Sequence, residues 1–170
     1  MKIAVSGVAG AGKTTLCNLI ACNTSLDVMP DIMDTVLEEM GVNSGGDLYQ
    51  KKGEPGMIEW YIEALRRKVR EDAKRDNFIA DKSVLDHGAR WYARKFSLAT
   101  TKQYAEIDRL LRGGVPSYDK IIFLPLSDLN CTAEDNEMRD LDNRHRELID
   151  LTIRGLVTRL GIGSKVIEYN

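Results

Sequence analysis

The sequence predicts an α/β fold, in which helices cover both faces of a parallel sheet. Short apolar runs alternate with stretches of helical periodicity along the 170 residues. Several of these runs are apolar on both faces, as strands buried within a parallel sheet are. A glycine-rich turn directly follows the first run. Alternating strands and helices imply right-handed crossovers, and the length suits a single domain over residues 1–170.

Five strands are expected, and helical spacing of apolar residues predicts helices within 58–69 and 149–160. Segment 41–56 is rich in glycine and lacks periodicity, so we expect a mobile loop between two helices. No internal repeat or linker interrupts the pattern. The expected strands are 2–6, 26–30, 77–81, 120–125 and 165–169.

Composition is ordinary for a soluble globular protein, with 43% hydrophobic and 29% charged residues. The net charge of -2 argues against general binding of polyanions. Cys17, Cys22 and Cys131 have no metal-ligand spacing, and we interpret them as reduced thiols. No apolar run approaches the roughly 20 residues of a membrane span, and no signal-peptide pattern opens the chain. We therefore expect a cytoplasmic protein that does not bind a membrane.

Residues 7–15, GVAGAGKTT, match the phosphate-binding pattern GxxxxGK[ST] between a predicted strand and a predicted helix. Glycines let backbone N–H groups face phosphate oxygens, and the helix N-terminus favours an anion. Lys13 would contact the β- and γ-phosphates, and the Thr14 hydroxyl would bind Mg²⁺. The predicted ligand is a nucleoside triphosphate. The residues expected to hold it are Gly7, Ala9, Gly10, Ala11, Gly12, Lys13, Thr14 and Thr15.

Asp81 ends a buried strand in the run FIADKS. Ligands of such folds bind at the carboxyl edge of the sheet, so Asp81 is a candidate to hold Mg²⁺ directly or through water. Its alternative role is to cap the helix that begins at residue 83 or 84. The GTPase patterns NKxD and DxxG are absent, and Lys82 stands where an AAA-type or motor ATPase has its catalytic glutamate.

Three arginines, Arg139, Arg144 and Arg146, follow the fourth strand in a polar stretch that leads into the last helix. Phosphoryl transfer needs cations over the departing phosphate, so residues 127–146 are predicted to form an arginine-bearing lid. The alternative is a solvated helix start, whose acidic neighbours pair with these arginines.

Read together, these segments resemble small P-loop kinases, of the thymidylate-kinase-like and nicotinamide-riboside-kinase-like groups that are common in bacteriophages. The resemblance covers nearly the whole chain. It implies a five-stranded parallel sheet of order 2-3-1-4-5, ATP and Mg²⁺, and a lid before the last helix. The segments that carry it are GVAGAGKTT, MPDIMDTVLEEMG, FIADKSVLD, YDKIIFLP and EDNEMRDLDNRHRELID.

The resemblance also implies roles for single residues. Asp81 matches the acidic residue of the D-R-[ST] motif, in which Lys82 replaces the arginine. Arg139 matches the first lid arginine, which also contacts ATP, and Arg144 or Arg146 matches the second. Asp31 matches an acidic residue that serves as base or binds the acceptor in related nucleoside kinases. The predicted catalytic residues are Lys13, Asp31, Arg139 and Arg144.

Other basic residues are weaker candidates. The stretch 88–96, GARWYARKF, interleaves basic and aromatic residues, which suits either base stacking or a helix packed into the core. Arg66, Arg67 and Arg70 either reach an acceptor phosphate or lie on a solvated helix face. The two histidines, His87 and His145, lack a partner pattern and are expected to be exposed.

The predicted activity is transfer of the γ-phosphoryl group of ATP to a nucleoside- or nucleotide-type acceptor, by a monomer or a homodimer. Asp34, Glu38 and Glu39 surround Asp31 without a nearby arginine, which favours a hydroxyl over a phosphate as the acceptor group. One alternative is a phage kinase that phosphorylates a hydroxymethylated pyrimidine (5-hydroxymethyluracil) in DNA. Another is a nucleotide-dependent ATPase switch without an acceptor.

Overall fold

The computed structural model describes residues 1–126 and 143–169. All five predicted strands are present in this part of the chain, each ending within one residue of its expected bounds. The strands are β1 Lys2–Gly7, β2 Asp27–Met29, β3 Phe78–Asp81, β4 Lys120–Leu124 and β5 Val166–Glu168. The helices are α1 Lys13–Cys22, α2 Met33–Glu39, α3 Gly45–Lys74, α4 Val84–Arg94, α5 Thr101–Gly114 and α6 Asn143–Leu160.

The strands form one parallel sheet of order β2-β3-β1-β4-β5, as expected. β1 lies at the centre, with Val5 paired to Asp81 of β3 and Gly7 paired to Leu124 of β4. The carboxyl end of β1 therefore lies beside that of β3. This register brings the glycine-rich turn after β1 next to Asp81.

The hydrophobic core lies on both faces of the sheet. The residues of β3 are all buried, and a small cluster that includes Cys17 lies beneath α1. On the opposite face the aromatic rings of Tyr61, Trp91 and Phe96 pack edge-on or tilted against one another. α1 and α4 are thus held firmly on either side of the central strands.

The expected loop over 41–56 is wrong, because α3 begins at Gly45. Ser44 caps this helix by accepting a hydrogen bond from the backbone of Asp47, and the backbone leaves helical geometry at Gly53 (φ 61°, ψ −162°). Leu48 is fully buried, so tertiary packing stabilises a turn that its glycines disfavour. The glycines of this segment correctly indicate a break in helical geometry at Gly53. They also lower the helical propensity of the residues around it, which are helical in the structure.

Cys17 and Cys22 are free thiols, as predicted, and Cys131 lies outside the described residues. None of the helices described here combines the length and apolar character needed to cross a bilayer.

Candidate active site

The turn between β1 and α1 has the geometry of a phosphate-binding loop. Gly10 and Gly12 adopt φ values of 77° and 83°, a region that side chains disfavour. Gly7 faces a different constraint, because a Cβ there would lie 2.3 Å from the carbonyl oxygen of Leu124. α1 begins directly after Gly12 and has no acidic residue in its first turn. The helix N-terminus therefore faces the turn without a competing negative charge of its own.

The Lys13 side chain folds over this loop and is only 6% exposed. Its Nζ donates to the carbonyl oxygens of Gly7 at 2.8 Å and Val8 at 2.6 Å. Burial lowers the pKa of Lys13 to about 8, although the nearby carboxylate of Asp86 raises it. The lysine therefore stays mostly protonated at neutral pH and becomes neutral above about pH 8.

Thr14 and Asp81 meet at the first turn of α1. The Thr14 hydroxyl donates to Oδ2 of Asp81 at 2.6 Å, and Oδ1 of Asp81 is buried with no hydrogen-bond partner among the described residues. A hydroxyl and a carboxylate oxygen are ligands that suit Mg²⁺. No group of three or more His, Cys, Asp or Glu side chains suited to a metal occurs in the described parts of the chain. A Mg²⁺ ion held by Thr14 and Asp81 thus needs further oxygens from a phosphate or water.

Asp31, just after β2, forms an ion pair with Lys82, and its Oδ1 lies 3.6 Å from Nε2 of His87. Oδ1 also accepts a hydrogen bond of 3.3 Å from the backbone of Met33 in α2. Burial raises the pKa of Asp31, but the imidazolium that His87 becomes in acid and the charge of Lys82 outweigh it and lower the pKa to about 2. Asp31 is therefore ionised at neutral pH. The lysine at the arginine position of the motif pairs with Asp31 in this structure.

The expectation that both histidines are exposed is wrong. His87 is only 2% exposed, and neither ring nitrogen has a hydrogen-bond partner within residues 1–126 and 143–169. Burial lowers its pKa to about 4, so the imidazole is neutral at physiological pH. His145 is partly buried and lines the cavity described next.

A cavity of about 560 Å³ joins the phosphate-binding loop to Asp31. α4 contributes Arg90 and Arg94, four residues apart on the helix that follows Asp81. Sequence reasoning considered both only as members of the basic and aromatic stretch 88–96, and their spacing on a helix after the β3 carboxylate was the available signal. The residues that line the cavity include Lys13, Thr14, Thr15, Asp31, Asp34, Tyr61, Asp81, Lys82, Asp86, Arg90, Arg94, His145 and Arg146.

The arginines near α6 are placed differently from one another. Arg146 is buried and lines the cavity, whereas Arg144 is exposed at the start of the helix. Arg139 and most of the predicted lid, residues 127–142, lie outside the described residues. The acidic surroundings of Asp31 also prove incomplete, because α4 brings two arginines into the same cavity.

The remaining candidates have structural roles. Trp91 is fully buried and Phe96 is 9% exposed, so these rings belong to the core and cannot stack against a base. Arg66 pairs with Glu106 at 2.7 Å and Arg67 pairs with Glu39 at 2.5 Å, on the outer face of α3. The stretch that contains them is a charged helix face. Asp81 does not cap α4, because Ser83 occupies the N-cap position.

Solved structures of other proteins share this fold. The deoxyadenosine kinase from M. mycoides, with products dCMP and a flexible dCDP bound, aligns with a TM-score of 0.68 and 16% identity, over 100% of this chain and 90% of that chain. The NadR protein in complex with NAD and AMP-PNP aligns with a TM-score of 0.61 and 16% identity, over 99% of this chain and 44% of that chain. The YorR protein from Bacillus subtilis, in complex with phosphorylated GDP, aligns with a TM-score of 0.53 and 16% identity, over 99% of this chain and 84% of that chain.

These alignments confirm the predicted P-loop kinase fold. No curated protein matches the sequence. A family model described as an AAA domain matches residues 2–169, which is nearly the whole length of the sequence. The chain therefore belongs to this AAA domain family.

Proposed function

We propose that the protein transfers the γ-phosphoryl group of ATP to a hydroxyl of a nucleoside-type acceptor. The observation that carries this proposal is the shared cavity, which has Lys13 and Thr14 at one end and the Asp31 carboxylate at the other. A phosphate donor and an acceptor can thus meet inside one enclosure. Relatives in fold include a deoxyadenosine kinase, which supports this class of acceptor.

At the donor end, the loop amides and Lys13 would neutralise the β- and γ-phosphates. To reach them, Nζ of Lys13 exchanges its bonds to the carbonyls of Gly7 and Val8 for phosphate oxygens. Arg146, which lines the same cavity, would contribute a second cation over the transferred group. Thr14 and Asp81 would hold Mg²⁺, which supplies charge neutralisation at the phosphates.

At the acceptor end, Asp31 is ionised and able to accept a proton. As the acceptor oxygen forms its bond to the γ-phosphorus, its proton passes to Asp31, and the bond to the β–γ bridging oxygen breaks to release ADP. Nζ of Lys82 donates a hydrogen bond to Oδ2 of Asp31 and so orients the carboxylate. A low pKa makes Asp31 a weak base, which suits proton transfer late in a loose transition state.

Replacing Asp31 with asparagine tests this role. The amide oxygen in the variant Asp31→Asn can still accept the backbone hydrogen bond from Met33, but the amide cannot accept the proton. We expect near-normal ATP binding and transfer that is slower by at least about a hundredfold. The readouts are calorimetric ATP binding and labelled phosphate transfer; full transfer activity in the variant would remove Asp31 from the mechanism.

A second candidate acceptor group is a phosphate, as in a nucleoside monophosphate. Arg90 and Arg94 favour it, because both line the cavity and neither has an ion-pair partner among the described residues. Arginine binds phosphate through paired N–H groups. A kinase that prefers monophosphates should lose that preference in Arg90→Ala, whereas a hydroxyl-directed kinase should use nucleosides equally well with and without Arg90.

A further inference from the structure

Asp86 is a buried carboxylate that the proposed reaction leaves without a role. It is the third residue of α4 and is 2% exposed. Its Oδ1 accepts from the backbone N–H of Gly7 at 3.0 Å, and its Oδ2 accepts from the Ser6 hydroxyl at 2.8 Å and the Ser83 backbone at 2.9 Å. No lysine or arginine forms an ion pair with it in the part of the chain that the structure describes. Several neutral donors therefore hold one buried negative charge.

Helix capping accounts for only part of this arrangement. The capping box of α4 uses the bond from the Ser83 backbone to Oδ2 of Asp86, together with the Ser83 hydroxyl. The other oxygen points away from the helix, to a backbone donor 79 residues earlier in the chain. That donor, Gly7, is the first residue of the phosphate-binding loop. The carboxylate thus connects the start of this loop with the turn from β3 to α4, which carries Asp81 and Lys82.

We propose that Asp86 is a positioning residue of the nucleotide site, which fixes the first amide of the phosphate-binding loop against the β3–α4 turn. The inference rests on the proposed function only in requiring that ATP binds at this loop. It assigns Asp86 no contact with the reacting atoms. Loss of its charge should therefore weaken nucleotide binding, because the carboxylate holds the amide of Gly7.

The test measures binding of the ATP analogue AMP-PNP with MgCl₂ by calorimetry at neutral pH, together with the thermal midpoint of each variant. Asp86→Asn keeps the shape of the side chain and removes the charge that accepts from Ser6, Gly7 and Ser83. We expect about tenfold weaker binding or more, because a neutral amide accepts these hydrogen bonds more weakly than a carboxylate does.

Thr100→Ala is the matched control, because it removes the N-cap hydroxyl of α5, which accepts from the backbone of Gln103, and leaves the bonds of Asp86 in place. Its thermal midpoint should drop, while its affinity for AMP-PNP stays at the wild-type value. An equal loss of affinity in both variants would reduce the effect of Asp86 to general destabilisation and overturn the proposal, as would wild-type binding in Asp86→Asn.

If Asp86→Asn does not fold, Asp86→Glu keeps the charge and displaces the oxygens. It should bind AMP-PNP more weakly than the wild type, and wild-type affinity in this variant would contradict the positioning role. Absence of AMP-PNP binding by the wild-type protein would overturn the proposed function together with this inference. Normal wild-type binding with an unaffected Asp86→Asn variant would overturn this inference alone.

Discussion

At the scale of single residues, burial controls the chemistry of the site. His87 is neutral in the folded protein until the pH approaches about 4, whereas an exposed histidine takes up its proton near pH 6.5. Between these values the unfolded chain binds more protons than the folded one. The free energy of unfolding must therefore rise with pH across this window and fall on acidification.

His87→Gln tests this linkage through the pH dependence of stability. For the wild type, His87 should lower the free energy of unfolding by about 2 kcal/mol from pH 7 to about pH 5. Glutamine does not titrate, so the variant should lose this part of the slope. Urea unfolding at both pH values measures it.

A slope that survives in His87→Gln would show that His87 is not the group responsible.

Single residues also show what sequence reasoning about the site can reach. The placement of Lys13 and Thr14 at the glycine-rich turn is predicted from a local pattern, because it depends on neighbours within a few residues. The contacts of Asp86 with Gly7 span 79 residues, and those of Asp31 with Lys82 span 51. No local pattern encodes such pairs, so the environments of Asp86 and His87 emerged only from the fold.

At the scale of secondary-structure elements, we expect alanine at each of two adjacent glycines at the end of α5 to change stability in opposite directions. A Cβ at Gly114 would lie 2.8 Å from side-chain carbons of both Val69 and Val84, whereas a Cβ at Gly113 has no described atom within 4 Å. Gly114→Ala should therefore destabilise the protein by about 1–3 kcal/mol through overpacking. Gly113→Ala should stabilise it by about 0.5–1 kcal/mol, because alanine favours the helix.

Each variant serves as the control for the other, because both add the same methyl group to the same helix. Denaturant midpoints measured under identical conditions decide the comparison. Equal shifts in the same direction would show that α5 does not pack against Val69 and Val84 as closely as the structure has it.

A similar pair lies in α6, where Arg146 lines the cavity and Arg144 is exposed. Sequence reasoning named Arg144 and left Arg146 as its alternative. If Arg146 stabilises charge in the transition state, Arg146→Ala should lower kcat by about tenfold to a thousandfold, with a smaller effect on ATP binding. Arg144→Ala is the comparison variant and should lower kcat less. A larger loss of kcat in Arg144→Ala than in Arg146→Ala would assign the role to Arg144 instead.

The elements themselves were predictable to different degrees. All five strands were predicted within one residue because each is a compact apolar run bounded by polar residues or turns. The first part of α3 was not predicted, because Gly45, Gly46 and Gly53 lower the helical propensity of this segment. The burial of Leu48, which stabilises the helix there, is not visible in the sequence. Local propensity is a weak guide where a few tertiary contacts stabilise a helical turn.

At the scale of the whole molecule, the strand order places chemistry from distant parts of the chain at one edge of the sheet. β1 lies at the centre, so its phosphate-binding loop has Asp81 at the end of one neighbouring strand. β2 pairs with the far side of β3 and brings Asp31 to the same edge. The order was implied by resemblance to P-loop kinases and is confirmed by the structure.

The most direct test of the account is transfer of labelled γ-phosphate from ATP to a panel of nucleosides, nucleoside monophosphates and hydroxymethylated DNA. We predict label on the hydroxyl of a free nucleoside, with transfer lost by about a thousandfold or more in Lys13→Ala. Asn18→Ala, on the exposed side of the same helix, should retain full activity, and circular dichroism should show both variants folded. Steady ATP hydrolysis that no acceptor stimulates, or near-normal transfer by folded Lys13→Ala, would contradict it.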